Sequence, residues 1–311
     1  MATDLKSSPS ASVVVVIPHL NRLADTAECC RSLATQTLPP DLVVVVDNAS
    51  TAHTAEELAA ACPRAEVLRL ERNLGFAGGV NAGIRKALST REFDYIWVLN
   101  NDTFCPPETL RQLVAAAVAN PRAGLTACPL LEKGKAIPPG KNLLMPWAVP
   151  RPAKADQTPN YLSGASLLIR RKLLDDIGLF DEGFFFFFED ADLSRRALDN
   201  GWQLVVVPDT CIEHYGSSTI RRMSELQART YRAGHVRYLR KHTRWPRMRA
   251  LPPFLFRAVA NLLQLRLSAL CGSYRGWRDG WRTSLLPSGT NPGMVKLNAD
   301  ETRSSNPARP S

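Results

Sequence analysis

Three carboxylates crowd into four residues in the segment Glu189-Asp190-Ala191-Asp192, directly after the five phenylalanines 184–188. Neighbouring acids beside an apolar wall raise one another's pKa, which suits a general base. Acids also favour the first turn of a helix, where Asp192 could pair with Arg196 one turn later. We predict that structural pair for Asp192. For Asp190, a general base and a plain helix start both stay open.

A second acidic segment, Asn100-Asn101-Asp102-Thr103, follows an apolar stretch. An aspartate with an amide two residues before it can offer oxygen ligands to a hard divalent cation, while water and phosphate complete the shell. Asn and Asp also favour surface turns, so an ordinary turn is the alternative. His214 is a further candidate ligand for a metal or phosphate, although a lone histidine is more often structural.

Residues 73–83 carry four glycines in eleven residues, ahead of a predicted helix over 81–88. Glycine permits positive φ and close backbone approach, so such a loop can lay N–H groups against a diphosphate. A glycine-rich turn without a ligand explains the composition equally well.

The hydrophobic pattern predicts the elements that must position these residues. Continuous apolar or β-branched runs indicate strands buried on both faces. The predicted strands cover residues 12–17, 42–46, 66–70, 95–99, 161–170 and 202–207. The predicted helices cover residues 25–35, 55–61, 81–88, a stretch after Pro106-Pro107, and 189–200. This alternation predicts an α/β fold with a mostly parallel central sheet. Asp47 and Asp102 both follow strand ends, at the edge where open α/β sheets bind ligands.

The rest of the chain divides by composition. Residues 132–160 are rich in Pro, Lys and Gly and predict a long loop. We predict a flexible N-terminus over 1–11, a catalytic domain over 12–240, a basic helical region over 241–285 and a disordered tail over 286–311.

The composition excludes several classes of protein. The 311 residues are 45% hydrophobic and 22% charged, which excludes a wholly disordered chain, a collagen and a coiled-coil rod. Seven cysteines without C-x-x-C spacing predict reduced thiols in a cytosolic protein. The N-terminus has no apolar signal core and no apolar stretch reaches about 18 residues, so neither a secretory signal nor a spanning helix is expected.

The net charge of +10 is concentrated near the C-terminus, where residues 221–282 hold fifteen Arg or Lys and two acids. A helix from Pro253 would surround one polar stripe with large apolar residues. The stripe consists of Arg257, Asn261, Gln264 and Ser268. This pattern favours an interfacial helix on an anionic membrane. A helix packed on the catalytic domain or on a dimer partner is the alternative.

Taken in order, these segments resemble the family 2 inverting glycosyltransferases, especially the rhamnosyltransferase-like branch. The resemblance covers about residues 12–240. Its motifs are VVVVIPHLN at 13–21, VVVDNAST at 44–51, NLGFAGGVNAG at 73–83, WVLNNDT at 97–103, FFFFFEDADLSRR at 184–196 and IEHYGS at 212–217. Two positions depart from the family pattern: His19 replaces a small hydroxyl residue, and Asn100 replaces the first Asp of an Asp-x-Asp motif.

The resemblance implies a Rossmann-like GT-A fold that binds a nucleotide-diphosphate sugar, with dTDP and rhamnose favoured and UDP or GDP as options. It implies that Asp190 is the catalytic base, that Asp47 meets the base or ribose, and that Asp102, Asn100 and His214 hold Mg²⁺ or Mn²⁺. The other substrate-binding residues that it implies are Pro18, Asn21, Asn48, Asn73, Gly75, Phe76, Gly79, Asn81, Asn101, Gly164 and Glu189.

The predicted function is inverting transfer of a sugar to a hydroxyl of a glycan or lipid-linked acceptor in cell-surface polysaccharide synthesis. The predicted location is cytoplasmic, on the inner face of the cell membrane, with a homodimer as an option. One alternative is a catalytically silent protein that keeps the fold. Another is a nucleic-acid-binding protein acting through the basic region, but the C-terminal arginines lack a recognised module, so no nucleic-acid partner is expected.

Overall fold

The computed structural model describes residues 11–153, 158–215 and 225–285. The predicted tail over 286–311, and all but the last residue of the predicted flexible N-terminus, lie outside the described residues. The strands are β1 (Val13–His19), β2 (Leu42–Asp47), β3 (Glu66–Arg69), β4 (Tyr95–Leu99), β5 (Thr103–Phe104), β6 (Ala123–Ala127), β7 (Leu130–Glu132), β8 (Lys135–Ile137), β9 (Gly140–Leu144), β10 (Val149–Pro152), β11 (Tyr161–Leu162), β12 (Ser166–Arg170), β13 (Gln203–Val206) and β14 (Ile212–His214). The helices are α1 (Leu23–Leu33), α2 (Ala55–Ala61), α3 (Gly75–Thr90), α4 (Thr109–Ala119), α5 (Arg171–Ile177), α6 (Glu189–Asp199), α7 (Glu225–His242), α8 (Pro246–Leu263) and α9 (Leu267–Arg282).

The predicted α/β class is confirmed. A seven-stranded sheet has the order β13-β6-β12-β4-β1-β2-β3, and β12 alone among these strands runs antiparallel to its neighbours. The central strand β1 is apolar at successive positions because both faces are covered. Val15 and Ile17 pack into the core on one face, while Val14 and Val16 pack into the core on the other.

The predicted long loop over 132–160 is wrong. This stretch contains β8, β9 and β10, which belong to two small sheets with the orders β5-β14-β7-β8 and β10-β9-β11. Their side chains are largely half-buried or exposed, so no continuous apolar run marks them. The strand predicted over 161–170 is two strands, β11 and β12, interrupted around Gly164. Strand β6 was also missed, because its sequence AGLTA carries few strong β formers.

The glycine-rich segment is helical rather than a loop or a turn, so the predicted conformation is wrong, whereas contact of its N–H groups with a diphosphate stays a prediction. Helix α3 begins at Gly75, six residues before the predicted start, and Gly75 has a φ of +72°. A Cβ on Gly75 would clash with the carbonyl oxygen of Phe185. The glycine is therefore required by a close backbone contact between α3 and the phenylalanine segment.

Helix α7 crosses the predicted domain boundary at 240/241 and packs against the catalytic half. Asp192, buried in α6, pairs with Lys241 Nζ and with His242 Nε2, each at 2.7 Å. The predicted pair of Asp192 with Arg196 is confirmed at 2.9 Å. A buried carboxylate with three cationic or hydrogen-bonding partners ties α6 to α7, and these contacts hold the pKa of Asp192 below its ordinary value although burial raises it.

Helix α9 lies very close to α7 because glycines face the contact. A Cβ on Gly272 would clash with Glu225 O, and one on Gly276 would clash with Arg229 O. Helix α8 begins at Pro246 rather than at Pro253 as predicted, and Pro252 and Pro253 lie inside it. None of the described helices combines the length and the apolar character needed to cross a bilayer.

Candidate functional site

Polar residues gather where β1, β2 and β4 end. His19 lies opposite Asp47 in the parallel register of β1 and β2. The Asn100-Asn101-Asp102 segment follows β4, the other neighbour of β1. Pro18 is the half-buried residue of β1 just before His19. Since carboxyl ends of parallel strands meet at one edge, the sheet brings these predicted residues together.

Asp47 is fully buried and both of its oxygens have partners. Its Oδ2 lies 2.8 Å from Nη1 of Arg69, and its Oδ1 accepts a hydrogen bond from the Ser50 N–H at 2.8 Å. Arg69 Nη2 also donates to Ser50 O. Arg69 was not predicted, because its only sequence signal is a cation at the end of a neighbouring strand.

A chain of hydrogen bonds crosses the edge between strands. His53 Nε2 lies 2.7 Å from His19 Nε2, and His19 Nδ1 lies 2.6 Å from Thr26 Oγ1. Asn101 Nδ2 donates to the same Thr26 oxygen. Burial, with the charge of His53, lowers the pKa of His19 to about 4. His19 is therefore a neutral, fully used hydrogen-bonding group near neutral pH.

Predicted binding amides near α3 hold its first turn. Asn48 Oδ1 accepts from Leu74 N–H and Asn48 Nδ2 donates to Gly75 O, each at 2.8 Å. Asn73 Oδ1 accepts from Gly75 N–H. Gly79 lies over Asn48, since a Cβ there would come within 3.0 Å of its Nδ2. These side chains shape the segment that follows β3.

Two further predicted amides brace loops. Asn21 Oδ1 accepts N–H bonds from Thr51 and Ala52. Asn81 is buried and bonds both the N–H and the carbonyl of Phe180.

Phe76 connects α3 to the phenylalanine segment. Its N–H donates to Phe185 O at 2.7 Å, and its ring makes edge-to-face contacts with those of Phe180 and Phe186. This predicted binding residue therefore orders the segment that leads into Glu189 and Asp190.

Asp102 and His214 form a buried polar pair. Strand β14 runs antiparallel to β5, so His214 stands opposite Thr103 and next to Asp102. His214 Nε2 lies 3.2 Å from Asp102 Oδ1 and His214 Nδ1 lies 2.7 Å from Glu132 Oε1. Burial lowers the pKa of His214, but contacts with the two carboxylates raise it above its ordinary value. Burial likewise raises the pKa of Asp102, and His214 outweighs it, so that the pKa is lowered.

His214 Nε2 is a buried atom without a hydrogen-bond partner among the described residues, despite its closeness to Asp102. A buried polar atom left unsatisfied is unfavourable, and it commonly marks a missing ligand, ion or water. Asn100 contributes backbone atoms here: its N–H donates to Ala165 O, and its carbonyl accepts from Thr103 Oγ1. Within the described ranges, no three His, Cys, Asp or Glu side chains cluster as a metal site.

Asp190 is held by backbone N–H groups. Its Oδ2 accepts from Gly164 at 3.1 Å and its Oδ1 from Ala191 at 2.8 Å. Burial raises the pKa of Asp190, and this exceeds the opposing effects of the Lys141 charge and the two N–H groups. The carboxylate is thus both oriented and more basic than an exposed aspartate.

Gly164 and its neighbour link the two acidic segments. Gly164 N–H bonds Asp190, while Ala165 O accepts from Asn100 N–H at 2.9 Å. Gly164 and Ala165, two of the three residues between β11 and β12, therefore bring Asp190 to the same edge as Asp102. No sequence pattern indicated this bridge beyond the glycine itself.

Glu189 lies beside Asp190 at the start of α6 and is 5% exposed. Its Oε2 has no hydrogen-bond partner in the described part of the chain. Burial, reinforced by the charge of Asp190, raises the pKa of Glu189 well above its ordinary value. The Glu189 carboxyl is therefore protonated more readily than an exposed glutamate.

Glu132 and Lys141 are candidate site residues without a sequence signal: Glu132 contacts His214, and the charge of Lys141 acts on Asp190. Both lie in the stretch assigned to a loop, where the parallel pairing of β7 with β14 sets Glu132 near His214. An isolated acid or lysine outside any predicted strand gives no sequence signal that it lies near the site.

Known proteins share this arrangement of segments. A model of Glycosyl transferase family 2 matches residues 14–178, and one of Glycosyl transferase family group 2 matches residues 153–286. The N-acetylglucosaminyl-diphospho-decaprenol L-rhamnosyltransferase of Mycobacterium tuberculosis, in strains CDC 1551 and H37Rv, is 28% identical over 259 residues. The match covers 73% of this chain and 82% of the relative.

Solved structures confirm the predicted GT-A fold. The structure of GalNAc-T7 with UDP, GalNAc and Mn²⁺ has a TM-score of 0.60 at 17% identity, covering 75% of this chain and 48% of that one. The mannosyltransferase PcManGT from Pyrobaculum calidifontis, in complex with GDP-Man and Mn²⁺, has a TM-score of 0.53 at 19% identity, covering 89% and 77%. This chain thus spans less than half the length of the GalNAc-T7 chain.

The first family match extends from β1 through the segments after β2 and β4 to α5. It includes Asp47, Asp102 and Gly164, the residues around which the polar edge is built. Since the match covers more than half of the 311 residues, the chain belongs to glycosyl transferase family 2.

Proposed function

We propose that this glycosyltransferase transfers a rhamnosyl group, with inversion, from a nucleotide-diphosphate sugar to a hydroxyl of a lipid-linked glycan. The name of the mycobacterial relative supports both the sugar and the diphospho-lipid acceptor. We further propose dTDP as the nucleotide, with UDP or GDP as the alternatives to be tested. The reaction serves cell-surface polysaccharide synthesis on the cytoplasmic face of the membrane.

The observation that carries the proposal is the placement of Asp190. Two backbone N–H groups orient its carboxylate, burial raises its pKa, and the Gly164 bridge joins it to the Asp102 segment. A general base needs this combination of fixed direction and increased basicity.

The proposed step is a single displacement. Asp190 takes the proton of the acceptor hydroxyl as that oxygen forms a bond to the anomeric carbon. The bond from the anomeric carbon to the diphosphate oxygen breaks, and its electron pair leaves with the nucleoside diphosphate. Attack from the face opposite the leaving group inverts the anomeric centre, so one catalytic carboxylate suffices. Glu189, next to the base in the sequence, is the further contact proposed for the acceptor.

Asp102 and His214 fit a divalent cation. Their facing atoms lie 3.2 Å apart, near the roughly 3 Å that separates adjacent ligands of one octahedral Mg²⁺ or Mn²⁺, and His214 Nε2 has no other partner among the described residues. Glu132 fixes the ring from the opposite nitrogen, as second-layer carboxylates do for metal-bound histidines. Asn100 remains a proposed ligand through its side chain. When bound, the ion would neutralise charge on the leaving diphosphate.

For the nucleoside we keep Asp47 as the proposed contact. Its two oxygens offer about four acceptor positions, of which Ser50 and Arg69 use two. Because Asp47 is fully buried and Arg69 is partly exposed, we propose that Arg69 turns aside when a ribose hydroxyl or base N–H bonds the carboxylate.

Calorimetric titration with dTDP, UDP and GDP, each with and without Mn²⁺ or Mg²⁺, tests the donor. Metal-dependent binding of dTDP is expected. Preferred binding of UDP or GDP would replace the proposed nucleotide, and binding of none would overturn the donor proposal. Product analysis with dTDP-rhamnose and a diphospholipid-linked N-acetylglucosamine then tests the transfer and its stereochemistry.

A further inference from the structure

The exposed large apolar side chains are concentrated in one short part of the molecule. Of the eighteen such side chains exposed among the described residues, ten fall within residues 245–267, which include α8 and the turn into α9. Phe256 is 77% exposed, Leu263 80% and Leu265 82%. A cluster of this kind on a water-soluble surface marks a contact with another molecule or with a membrane.

Helix α8 exposes large apolar side chains and buries a small and a polar one, the reverse of an ordinary surface helix. Its buried residues are Ala250 and Asn261, whereas Leu255, Phe256 and Val259 face outward. Asn261, a member of the polar stripe, is thus buried while the apolar residues around it are exposed.

Contacts with α7 and α9 fix the orientation of α8. Phe254 packs on Trp277 of α9 with ring centroids 4.7 Å apart. Arg232, 3% exposed on α7, donates from Nη2 to Pro253 O, whose segment of helix is interrupted by prolines. The outward display of the apolar face is therefore built into the packing of α7, α8 and α9.

A second exposed apolar segment adjoins α8. Trp147, at the tip between β9 and β10, is 47% exposed, and its carbonyl oxygen lies 2.8 Å from His235 Nε2. His235 Nδ1 in turn lies 3.1 Å from Arg232 Nη1. Three short polar contacts thus fasten this tip to the middle of α8. Met145, beside Trp147, is also exposed.

The positive charge of this surface favours a bilayer with anionic lipid over a second copy of the chain. Residues 244–267 contain five arginines and no acid. An isologous contact between two copies would set these arginines against each other. A bilayer with anionic lipids offers apolar depth for the leucines and negative charge for the arginines, and Trp245 suits the interface.

We propose that α8 and the β9–β10 tip form a bilayer-docking surface that requires anionic lipid. Strand β9 pairs with β11, which leads directly into Gly164 and its bond to Asp190. The docking surface is thus connected to the side of the site from which a lipid-linked acceptor would enter. The entry route rests on the proposed function, whereas docking itself needs neither donor nor metal.

Sedimentation with vesicles tests docking without any transfer reaction. The full chain should bind vesicles of phosphatidylcholine mixed with phosphatidylglycerol, bind phosphatidylcholine alone weakly, and release as salt is raised. The double variant Phe256→Ser with Leu263→Ser should bind at least about tenfold more weakly. Arg247→Gln should lower binding about fivefold, the effect of one basic residue near an anionic surface.

The matched control is Val118→Ser, since Val118 is also exposed but lies on α4, away from this surface. It should bind like the wild type, and all variants should keep the wild-type unfolding midpoint because the replaced side chains are exposed.

Absence of vesicle binding would overturn the proposal. A dimer in analytical ultracentrifugation that the double variant abolishes would then assign the surface to a second copy of the chain. Failure of donor binding with intact vesicle binding would contradict the proposed function alone.

Discussion

The polar edge of the sheet and the outer face of α8 depart from the usual distribution of side chains in opposite directions. At the edge, His214 Nε2 and Glu189 Oε2 are buried without hydrogen-bond partners among the described residues. On α8, Phe256 and Leu263 are exposed to water. Leaving a buried polar atom unsatisfied costs about 1–3 kcal/mol, and each exposed apolar side chain forgoes about 1.5–3 kcal/mol of burial.

The difference teaches what kind of molecule completes each region. Unsatisfied polar atoms are relieved by an ion or by hydrogen-bonding groups of a substrate, which need fixed geometry. Exposed apolar side chains are stabilised by burial in any apolar medium, because the hydrophobic effect depends on the buried area and not on the direction of contacts. Hydrogen bonds accordingly fix the individual side chains of the edge. For α8, the packing fixes only which face of the helix points outward.

The largest effect is expected at the proposed general base. Asp190→Asn should reduce kcat by about 10²–10⁴ because the general base is lost, while donor binding stays near wild type. Steady-state kinetics and nucleotide titration measure the two quantities separately. Asp199→Asn is the matched control on the same helix, where an exposed pair with Arg195 is lost and kcat should not change. Wild-type turnover in Asp190→Asn would locate the base elsewhere.

The bracing of the edge predicts a pH dependence of stability. His19 has a pKa of about 4 in the fold against 6.5 when unfolded, so its neutral form stabilises the fold fully above pH 6.5. As pH falls from 6.5 to 4, the unfolded chain takes up the proton first, and about 3 kcal/mol of stability should be lost.

His19→Asn removes this titration. The difference in free energy of unfolding between wild type and variant, measured by denaturant titration at several pH values, should therefore narrow on acidification. Contributions from other groups, such as Glu189, occur in both proteins and cancel. A difference that is flat between pH 7 and 4 would show that His19 is not held neutral.

A metal at the edge gives the next effect. Asp102→Asn and His214→Gln should each weaken Mn²⁺-dependent nucleotide binding by about 10–100-fold, because each removes a ligand. Binding measured without metal is the internal control and should change little. If metal titrations of both variants match the wild type, the two side chains do not hold the ion.

The smallest effect concerns the support of α8. Gly276→Val should lower the free energy of unfolding by about 1–3 kcal/mol, because its side chain would clash with Arg229 O and separate α9 from α7. Ser268→Val, an exposed substitution on the same helix, should stay within about 0.5 kcal/mol of wild type. Equal stabilities of the two variants would mean that α9 can leave α7 without penalty.

Much of the catalytic half could be predicted because its signals are local. Strands β1, β2 and β4 are buried on both faces and so are apolar at successive positions. Asp102 and Asp190 could be singled out because acids and amides cluster just after an apolar strand and after an aromatic run, although a turn and a helix start explain such clusters too. The pair of Asp192 with Arg196 follows from helical spacing alone.

Other parts could not be predicted because their partners are distant in sequence. The hairpin over β9 and β10 pairs with β11, and Glu132 meets His214 across 82 residues. The glycine-rich segment looked like a loop because glycines in helices are uncommon. Their reason is the close approach of α3 to Phe185 and to the sheet, which the local sequence does not contain.

By itself, the sequence determined the α/β class, the central strands and the acidic residues that we propose for the site. Those features depend on burial and chemistry at consecutive positions. Only the tertiary structure decided which atoms meet at the edge and which face of α8 points outward. A helix that is apolar around most of its circumference has no preferred inner face of its own, so the glycine contacts of α9 and the bond from Arg232 made that choice.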